Sequence, residues 1–337
     1  MSKIILTDTT LRDGSHTVSH QFTPEDVINV SKALQASGID LIELGHGDGL
    51  TGSTINYGLS NYDDFSLISA ASSVLTTSKL TVLLIPGIGT VESLRKAKQC
   101  GAKAVRVATH VTEADVSEQH IKAAKDMGLF TIGFLMMSHM TDVNRLTEEA
   151  LKMESYGADA VYVTDSGGAM LPKDVAEKVT SLKRNLKVPI GHHAHNNLGL
   201  AVANSLTAIE AGATYIDGSL SGLGAGSGNT STEMLIAVLN KMGYEHNGDL
   251  YKAMDAVKDV LIPILESKGI TSVQNNLDTM ILGYAGVYSS FLLHARRASK
   301  RFGVDVRDIL MEVGRRKTVG GQEDWIIEIA YDLAKKK

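Results

Sequence analysis

Asp13, in the run Thr10-Leu11-Arg12-Asp13-Gly14, and the pair in His193-Ala194-His195 each stand where an apolar run breaks into polar residues. One carboxylate and two imidazoles make a ligand set for a divalent metal, and they leave coordination positions open for a substrate. Side chains alternate across a strand, so His193 and His195 are expected on one face and His192 on the other. Imidazole plus carboxylate without cysteine suits Mn2+, Co2+ or Fe2+, with Zn2+ admissible and Mg2+ less natural beside two nitrogen ligands. Mn2+ is the expected ion. A 2-oxo acid chelates such an ion through its carboxylate and carbonyl oxygens, which favours an enolate. Arg12 is placed to donate forked hydrogen bonds to that developing oxyanion, and His16, just past the turn, to transfer a proton.

The elements that must position these residues announce themselves by a rhythm. A glycine followed by a short apolar run recurs at Gly38-Ile-Asp-Leu-Ile-Glu-Leu, Gly101-Ala-Lys-Ala-Val-Arg-Val, Gly128-Leu-Phe-Thr-Ile-Gly-Phe, Gly157-Ala-Asp-Ala-Val-Tyr-Val and Gly212-Ala-Thr-Tyr-Ile-Asp. Glycine accepts the left-handed conformation that ends many helices, and the run after it suits a strand buried on both faces. With Lys3 to Thr7, Leu80 to Ile85 and Val188 to His192 there are about eight strands at roughly 25- to 40-residue spacing. Helix signals fill the intervals: Thr23-Pro24-Glu25-Asp26 and Leu171-Pro172-Lys173-Asp174 each carry a first-turn proline and acids. The spacing predicts an α/β protein, a (β/α)8 TIM barrel over residues 1–239, followed by a helical C-terminal domain over 240–337. Barrel active sites lie at the carboxyl ends of the strands, and odd-numbered strands share interior layers. Asp13 after strand one and the histidines on strand seven therefore converge.

Composition removes several classes. With 337 residues, 43% hydrophobic, the chain can bury a large core. A formal net charge of -5 gives no basic surface for nucleic acid or anionic lipid, and no segment is apolar enough to span a bilayer. Cys100 is the only cysteine, so an intramolecular disulfide is excluded and a reducing, cytoplasmic setting is expected; the start of the chain lacks the pattern of a secretion signal. Strand ends carry no inward lysine, which argues against a Schiff base. His46 and Asp48 follow strand two, where a site contact and a turn-stabilising role are balanced, while His110 and His139 have no ligand partner by spacing. Gly222 to Gly228 reads as a tight loop rather than an anion cradle, and Met136-Met137 as core. Leu83, Leu84 and Pro86 are candidates for a pocket wall.

Four motifs add a resemblance: Thr10-Leu11-Arg12-Asp13-Gly14-Ser15-His16, His46-Gly47-Asp48-Gly49-Leu50, Tyr162-Val163-Thr164-Asp165-Ser166-Gly167-Gly168 and Gly283-Tyr284-Ala285-Gly286-Val287-Tyr288-Ser289-Ser290. Together they resemble the 4-hydroxy-2-oxovalerate aldolase family almost end to end, within a wider metal-dependent lyase superfamily. The resemblance implies cleavage of 4-hydroxy-2-oxopentanoate to pyruvate and acetaldehyde, usually with Mn2+. It implies Asp13, His193 and His195 as ligands, Arg12 on the pyruvate enolate, and His16 taking the C4 hydroxyl proton. Ser166 and Tyr284 would contact substrate. It also implies an acylating acetaldehyde dehydrogenase partner that receives the aldehyde through a channel, with Tyr284 and Gly320-Gly321 near its path. Two positions depart from the family pattern: Asn196 after the histidine pair, and Ser19 before His20. An acyl-CoA-condensing enzyme of the isopropylmalate synthase type is the alternative enzyme; Ser15-His16 stands where those synthases commonly have Glu-Gln. A non-catalytic assembly subunit would have no need of Arg12, Asp13, His16 and both histidines.

Overall fold

The computed structural model describes residues 3–270 and 277–335. Eight parallel strands close into one barrel in sequence order: β1 Ile5–Leu11, β2 Leu41–Leu44, β3 Lys79–Leu84, β4 Ala104–His110, β5 Phe130–Met136, β6 Ala160–Asp165, β7 Ile190–Ala194 and β8 Tyr215–Gly218. The rhythm read from the sequence is this barrel. All five joint glycines (Gly38, Gly101, Gly128, Gly157, Gly212) have positive φ, as a left-handed helix end requires.

The strands are buried on both faces, and parity divides their side chains. Ile42, Leu44, Val82, Leu84, Val105 and Val107 point out into the main core beneath the helices, whereas Leu41, Leu83, Ala104, Ala108 and Phe134 fill the barrel interior. The surrounding helices are α1 Pro24–Ala36, α2 Asp64–Ser72, α3 Val91–Gln99, α4 Glu118–Asp126, α5 Val143–Ser155, α6 Pro172–Asn185, α7 Ala201–Glu210 and α8 Thr232–Met242. At the start of α1, Thr23 Oγ1 accepts from the Asp26 amide while Asp26 Oδ2 accepts from the Thr23 amide, satisfying two donors that a helix start leaves open.

The division expected at 239/240 falls inside α8. After it, α9 (Leu250–Asp255), a π-helical turn (Ala256–Leu261) and α10 (Ile262–Ser267) continue the barrel's outer layer: Ala253, Leu261 and Leu265 are buried in the same core as α1 and α8. A second core begins only at Leu282. It joins α11 (Leu277–Ala285), α12 (Phe291–Phe302), α13 (Val306–Arg315) and α14 (Asp324–Lys335) through Phe291, Ala295, Leu310 and Ile329. This unit meets the carboxyl mouth of the barrel through the connection between α11 and α12: Ser289 Oγ donates to the Ser166 carbonyl at 3.0 Å, and Asn197 Nδ2 to Ser289 Oγ at 2.8 Å. Among the described residues, no helix is long and apolar enough to cross a membrane.

Candidate active site

β1 ends at Leu11, and the chain turns at once into a short 3-10 helix, Asp13–His16, which hangs Asp13 over the barrel axis. Across the mouth, β7 presents His193 inward; His192 faces the other way and meets the Val163 carbonyl, as strand alternation requires. Asp13 Oδ2 lies 3.5 Å from His195 Nε2 and 3.8 Å from His193 Nε2, and it is buried with no hydrogen-bond partner. Three donors each about 2.1 Å from one ion stand about 3 to 4 Å apart, so the spacing fits a metal. The far side of each ring is committed. His193 Nδ1 meets Asp217 Oδ2 at 2.8 Å and His195 Nδ1 meets the Ala225 carbonyl at 3.2 Å. Both partners only accept, so Nδ1 carries the proton and Nε2 keeps its lone pair for a metal. The loop Gly222 to Gly228 thus holds His195 in place: Gly228 packs on the Gly222 carbonyl, the tight-loop reading. Burial pushes the Asp13 carboxyl up, but Arg12 and the nearby imidazoles outweigh it and hold it well below the usual carboxylate range. Burial keeps His195 neutral, its pKa lowered to about 4.

Behind Asp13, His193 and His195 runs a buried chain of charge that the motif reading missed. Arg12 Nε pairs with Glu43 Oε2 at 2.8 Å, Glu43 Oε1 faces Arg106 Nε at 3.5 Å, and Arg106 grips Asp217 at 2.6 and 2.7 Å. Asp217 then reaches His193. Phe134 and Tyr162 flank the Arg106 guanidinium, their ring centroids 5.0 and 4.6 Å away. Arg12 also lies 3.2 Å from Asp13. Two guanidinium groups face three carboxylates, Asp13, Glu43 and Asp217, so the buried set is short of one positive charge. A divalent ion would turn that deficit into an excess of one, which a bound monoanion would cancel in this low-dielectric interior. The sequence did carry a signal. Leu-Ile-Glu-Leu, Ala-Val-Arg-Val and Tyr-Ile-Asp each put one charge inside an apolar strand, and a buried charge needs a partner.

His16 Nε2 lies 3.9 Å from Asp13 Oδ1, at the rim of the metal set. Arg12, Asp13, His16, Ser166, His193 and Ser289 are among the residues enclosing a cavity of about 40 Å³. Ser166 Oγ accepts from the Met137 amide at 3.1 Å. Tyr284 is not here. It is 73% exposed, while Tyr288, one helical turn on, lines the cavity and donates its hydroxyl to Met136 Sδ at 2.9 Å. The helix α11 ends at Ala285 and Gly286 takes φ 66°, so the chain reverses between the two tyrosines and only the second turns inward. Met136 therefore lines the cavity while it also packs against the barrel-interior core, and Met137 is buried, as the core reading of the pair expects. Of the wall candidates, Leu83 lines this cavity and Pro86 an adjoining one of about 320 Å³, whereas Leu84 is buried in the outer core. Gly320, His110 and Glu113 also line the larger space, which shares Asp48, Ile85, Met136, Tyr288 and Ser290 with the smaller. His139 Nε2 meets the Gly286 carbonyl at 3.0 Å, tying the helical unit to the barrel.

Residues 3–260 match the HMGL-like family and residues 273–335 the DmpG-like communication domain. A 4-hydroxy-2-oxovalerate aldolase from Carboxydothermus hydrogenoformans is 58% identical to this chain over 333 residues, 99% of this chain and 98% of that one. This chain belongs to the 4-hydroxy-2-oxovalerate aldolase family. Another relative of that name, from Geobacillus stearothermophilus, is 55% identical over 98% of this chain and 96% of its own. The carboxyl transferase domain of Rhizobium etli pyruvate carboxylase superposes with a TM-score of 0.82 at 15% identity, covering 99% of this chain and 60% of that one; it shares the fold. The two family matches part between residues 260 and 273, close to where the two cores divide. The positions at which this aldolase-family chain departs from the expected pattern lie outside the Asp13, His193 and His195 group: Asn196 Oδ1 accepts from the Ala201 amide at the start of α7, and Ser19 is exposed.

Proposed function

We propose that the chain cleaves 4-hydroxy-2-oxopentanoate to pyruvate and acetaldehyde, with Asp13, His193 and His195 holding Mn2+ and Co2+ as a substitute. The observation that carries this reading is Asp13 Oδ2, buried, unpartnered and facing two imidazole Nε2 atoms whose tautomers are set from behind. When bound, the ion supplies Lewis acidity at the substrate's 2-oxo group. Arg12, anchored by Glu43, donates to the oxygen on which enolate charge grows, an interaction stronger in the transition state than in the ground state. His16 takes the C4 hydroxyl proton as the C3–C4 bond breaks. The bonding pair passes into the enolate, the aldehyde leaves, and a proton returned to C3 completes pyruvate. Ser166 contacts the bound acid, and Tyr288, in place of Tyr284, closes the cavity over it.

The DmpG-like communication domain supports a hetero-oligomer with an acylating acetaldehyde dehydrogenase. The larger cavity, with Gly320 and Gly321 on its wall, is the aldehyde's way out toward that partner. A cytoplasmic setting accords with the lone unpaired Cys100.

The deciding experiment measures pyruvate release from 4-hydroxy-2-oxopentanoate by chelator-stripped protein, with Mn2+ restored and Asp13→Ala as control. Metal-restored turnover that the variant lacks is expected. Equal turnover in the variant, or none in the metal-loaded protein, would sink the reading.

A further inference from the structure

Three imidazoles outside the metal set are packed in series, each against a glycine. His16 stands edge-on to His20 with ring centroids 5.0 Å apart, and His20 stacks on His46 at 3.7 Å with the planes 19° apart. The loop between β2 and α2 wraps this series. A methyl group on Gly47 would come within 2.7 Å of Nε2, Cε1 and Cδ2 of His16; on Gly58 it would stand 2.8 Å from Cδ2 of His20, and on Gly52 2.5 Å from Nδ1 of His46. Gly58 also has a positive φ, which alone would account for glycine there, but Gly47 does not. At Gly47 a side chain is barred by the His16 ring and not by the backbone.

His20 joins the two elements that meet at this point. Its amide donates to the Ser15 carbonyl at 2.7 Å, and its Nδ1 faces Ser15 Oγ at 3.2 Å and the Gly47 amide at 3.4 Å. Ser15 belongs to the turn that carries His16. Gly47 belongs to the loop opposite, and its carbonyl accepts from Arg12 Nη1 at 3.4 Å. His46 backs the series: its Nδ1 accepts from the Asp48 amide and its Nε2 donates to the Gly58 carbonyl at 3.0 Å, so the loop that supplies the glycines is itself pinned by the last ring.

We propose that Gly47 is a positioning residue whose missing side chain leaves the slot in which His16 aims Nε2 at the substrate hydroxyl, and that His20 fixes the width of that slot. This rests on His16 as the proton acceptor in the reaction proposed above. The atoms an added methyl would strike are the far end of the His16 side chain, so Gly47→Ala moves the ring and leaves the barrel as it is. Its effect must then appear only in steps that need the ring.

The test uses the full chain loaded with Mn2+ and two substrates. Cleavage of 4-hydroxy-2-oxopentanoate requires a hydroxyl proton to be removed. Oxaloacetate loses CO2 to give the same pyruvate enolate with no hydroxyl proton to remove, so it reports the metal and Arg12 alone. Gly47→Ala is expected to lower kcat for the first on the order of 10- to 100-fold, since an ångström of misplacement has that effect. KM and the oxaloacetate rate should change by less than about twofold. In a His16→Ala background, Gly47→Ala should remove nothing further. His20→Ala should show the same split, and His20→Phe, which restores a ring of the same thickness, should recover part of it; this pair decides the matter if Gly47→Ala does not fold. Unchanged aldol turnover in Gly47→Ala, equal losses on both substrates, or an additional loss in the His16→Ala background each overturn the proposal. A His16→Ala variant that cleaves at the normal rate instead removes the proton-acceptor reading itself, a result that the Gly47 variant cannot produce.

Discussion

Two groups of three side chains share the carboxyl mouth of this barrel, and they are held in different ways. Asp13, His193 and His195 converge from β1 and β7, and what aims them is charge: Asp217, Arg106 and Glu43 run from His193 to Arg12 through the barrel interior. His16, His20 and His46 lie on the turn after β1 and the loop after β2, and what aims them is shape: ring on ring, with glycine where a side chain would collide. The second arrangement uses backbone that ordinary sequences avoid. Ser19 and His20 both hold φ near +55 (52° and 60°), a conformation that non-glycine residues keep only where neighbours over-determine it. The difference fits the tasks. In the proposed reaction a ligand would keep its lone pair on one ion, whereas a proton acceptor would sit at one distance from a substrate that comes and goes.

Breaking the charge chain at its centre should have the largest effect. Arg106→Met leaves Asp217 and Glu43 buried without their shared cation, and about 3–5 kcal/mol of unfolding free energy should be lost in urea titrations. A loss below about 1 kcal/mol would mean that the chain is not wired by charge. Leu84→Ala and Leu83→Ala then separate the two faces of β3. The former opens the outer core and should lower stability by about 2–5 kcal/mol with the aldehyde preference unchanged. The latter enlarges the cavity beside Asp13 and, in the proposed reaction, should shift the preference between aldehydes by about 1–3 kcal/mol, read from competing substrates in the synthetic direction. A reversal of these two outcomes would contradict the parity of the strand. Asp217→Asn keeps the shape and loses the charge behind His193. Direct Mn2+ titration should give about 10- to 100-fold weaker binding, and unaltered affinity would leave Asp217 a structural role only.

The barrel was legible because a parallel strand buried on both faces becomes a short apolar run, and because the helix before it ends on a glycine that must go left-handed. The convergence of His193 and His195 on Asp13, a candidate metal set, was legible because strand parity puts the two histidines together. What escaped was fixed by contacts between distant segments. Glu43, Arg106 and Asp217 lie on β2, β4 and β8, and each appears alone in its run; only closure of the barrel makes them one chain. Tyr284 and Tyr288 stand in a single motif at helical spacing, and the end of α11 between them decides which one faces the cavity. The helices over 250–267 have the same amphipathic pattern as those beyond 277, so nothing local says that they complete the barrel's outer layer while the later ones build a core of their own.

The shape-held group makes a distinct demand on pH. His20 is packed between His16 and His46, with Asp48 the nearest acid of the same loop. Burial first, then repulsion from those two imidazoles, pushes its pKa down from the ordinary value near 6.5 to about 2, against a weaker opposing contact from the Tyr57 backbone. Below pH 6.5 the unfolded chain therefore binds a proton at this position that the folded chain refuses, and stability falls as the pH falls through that window. Between pH 7 and 5 the loss from this one group is about 1–2 kcal/mol. His20→Asn, which tolerates the left-handed backbone and cannot titrate, should remove that increment, so that its stability declines less between pH 7 and 5 than that of the parent chain. Parallel acid dependence in the two proteins would show that the His20 ring takes up a proton in the folded chain. The stack would then have to open in mild acid, and packing could not be what keeps His16 in place there.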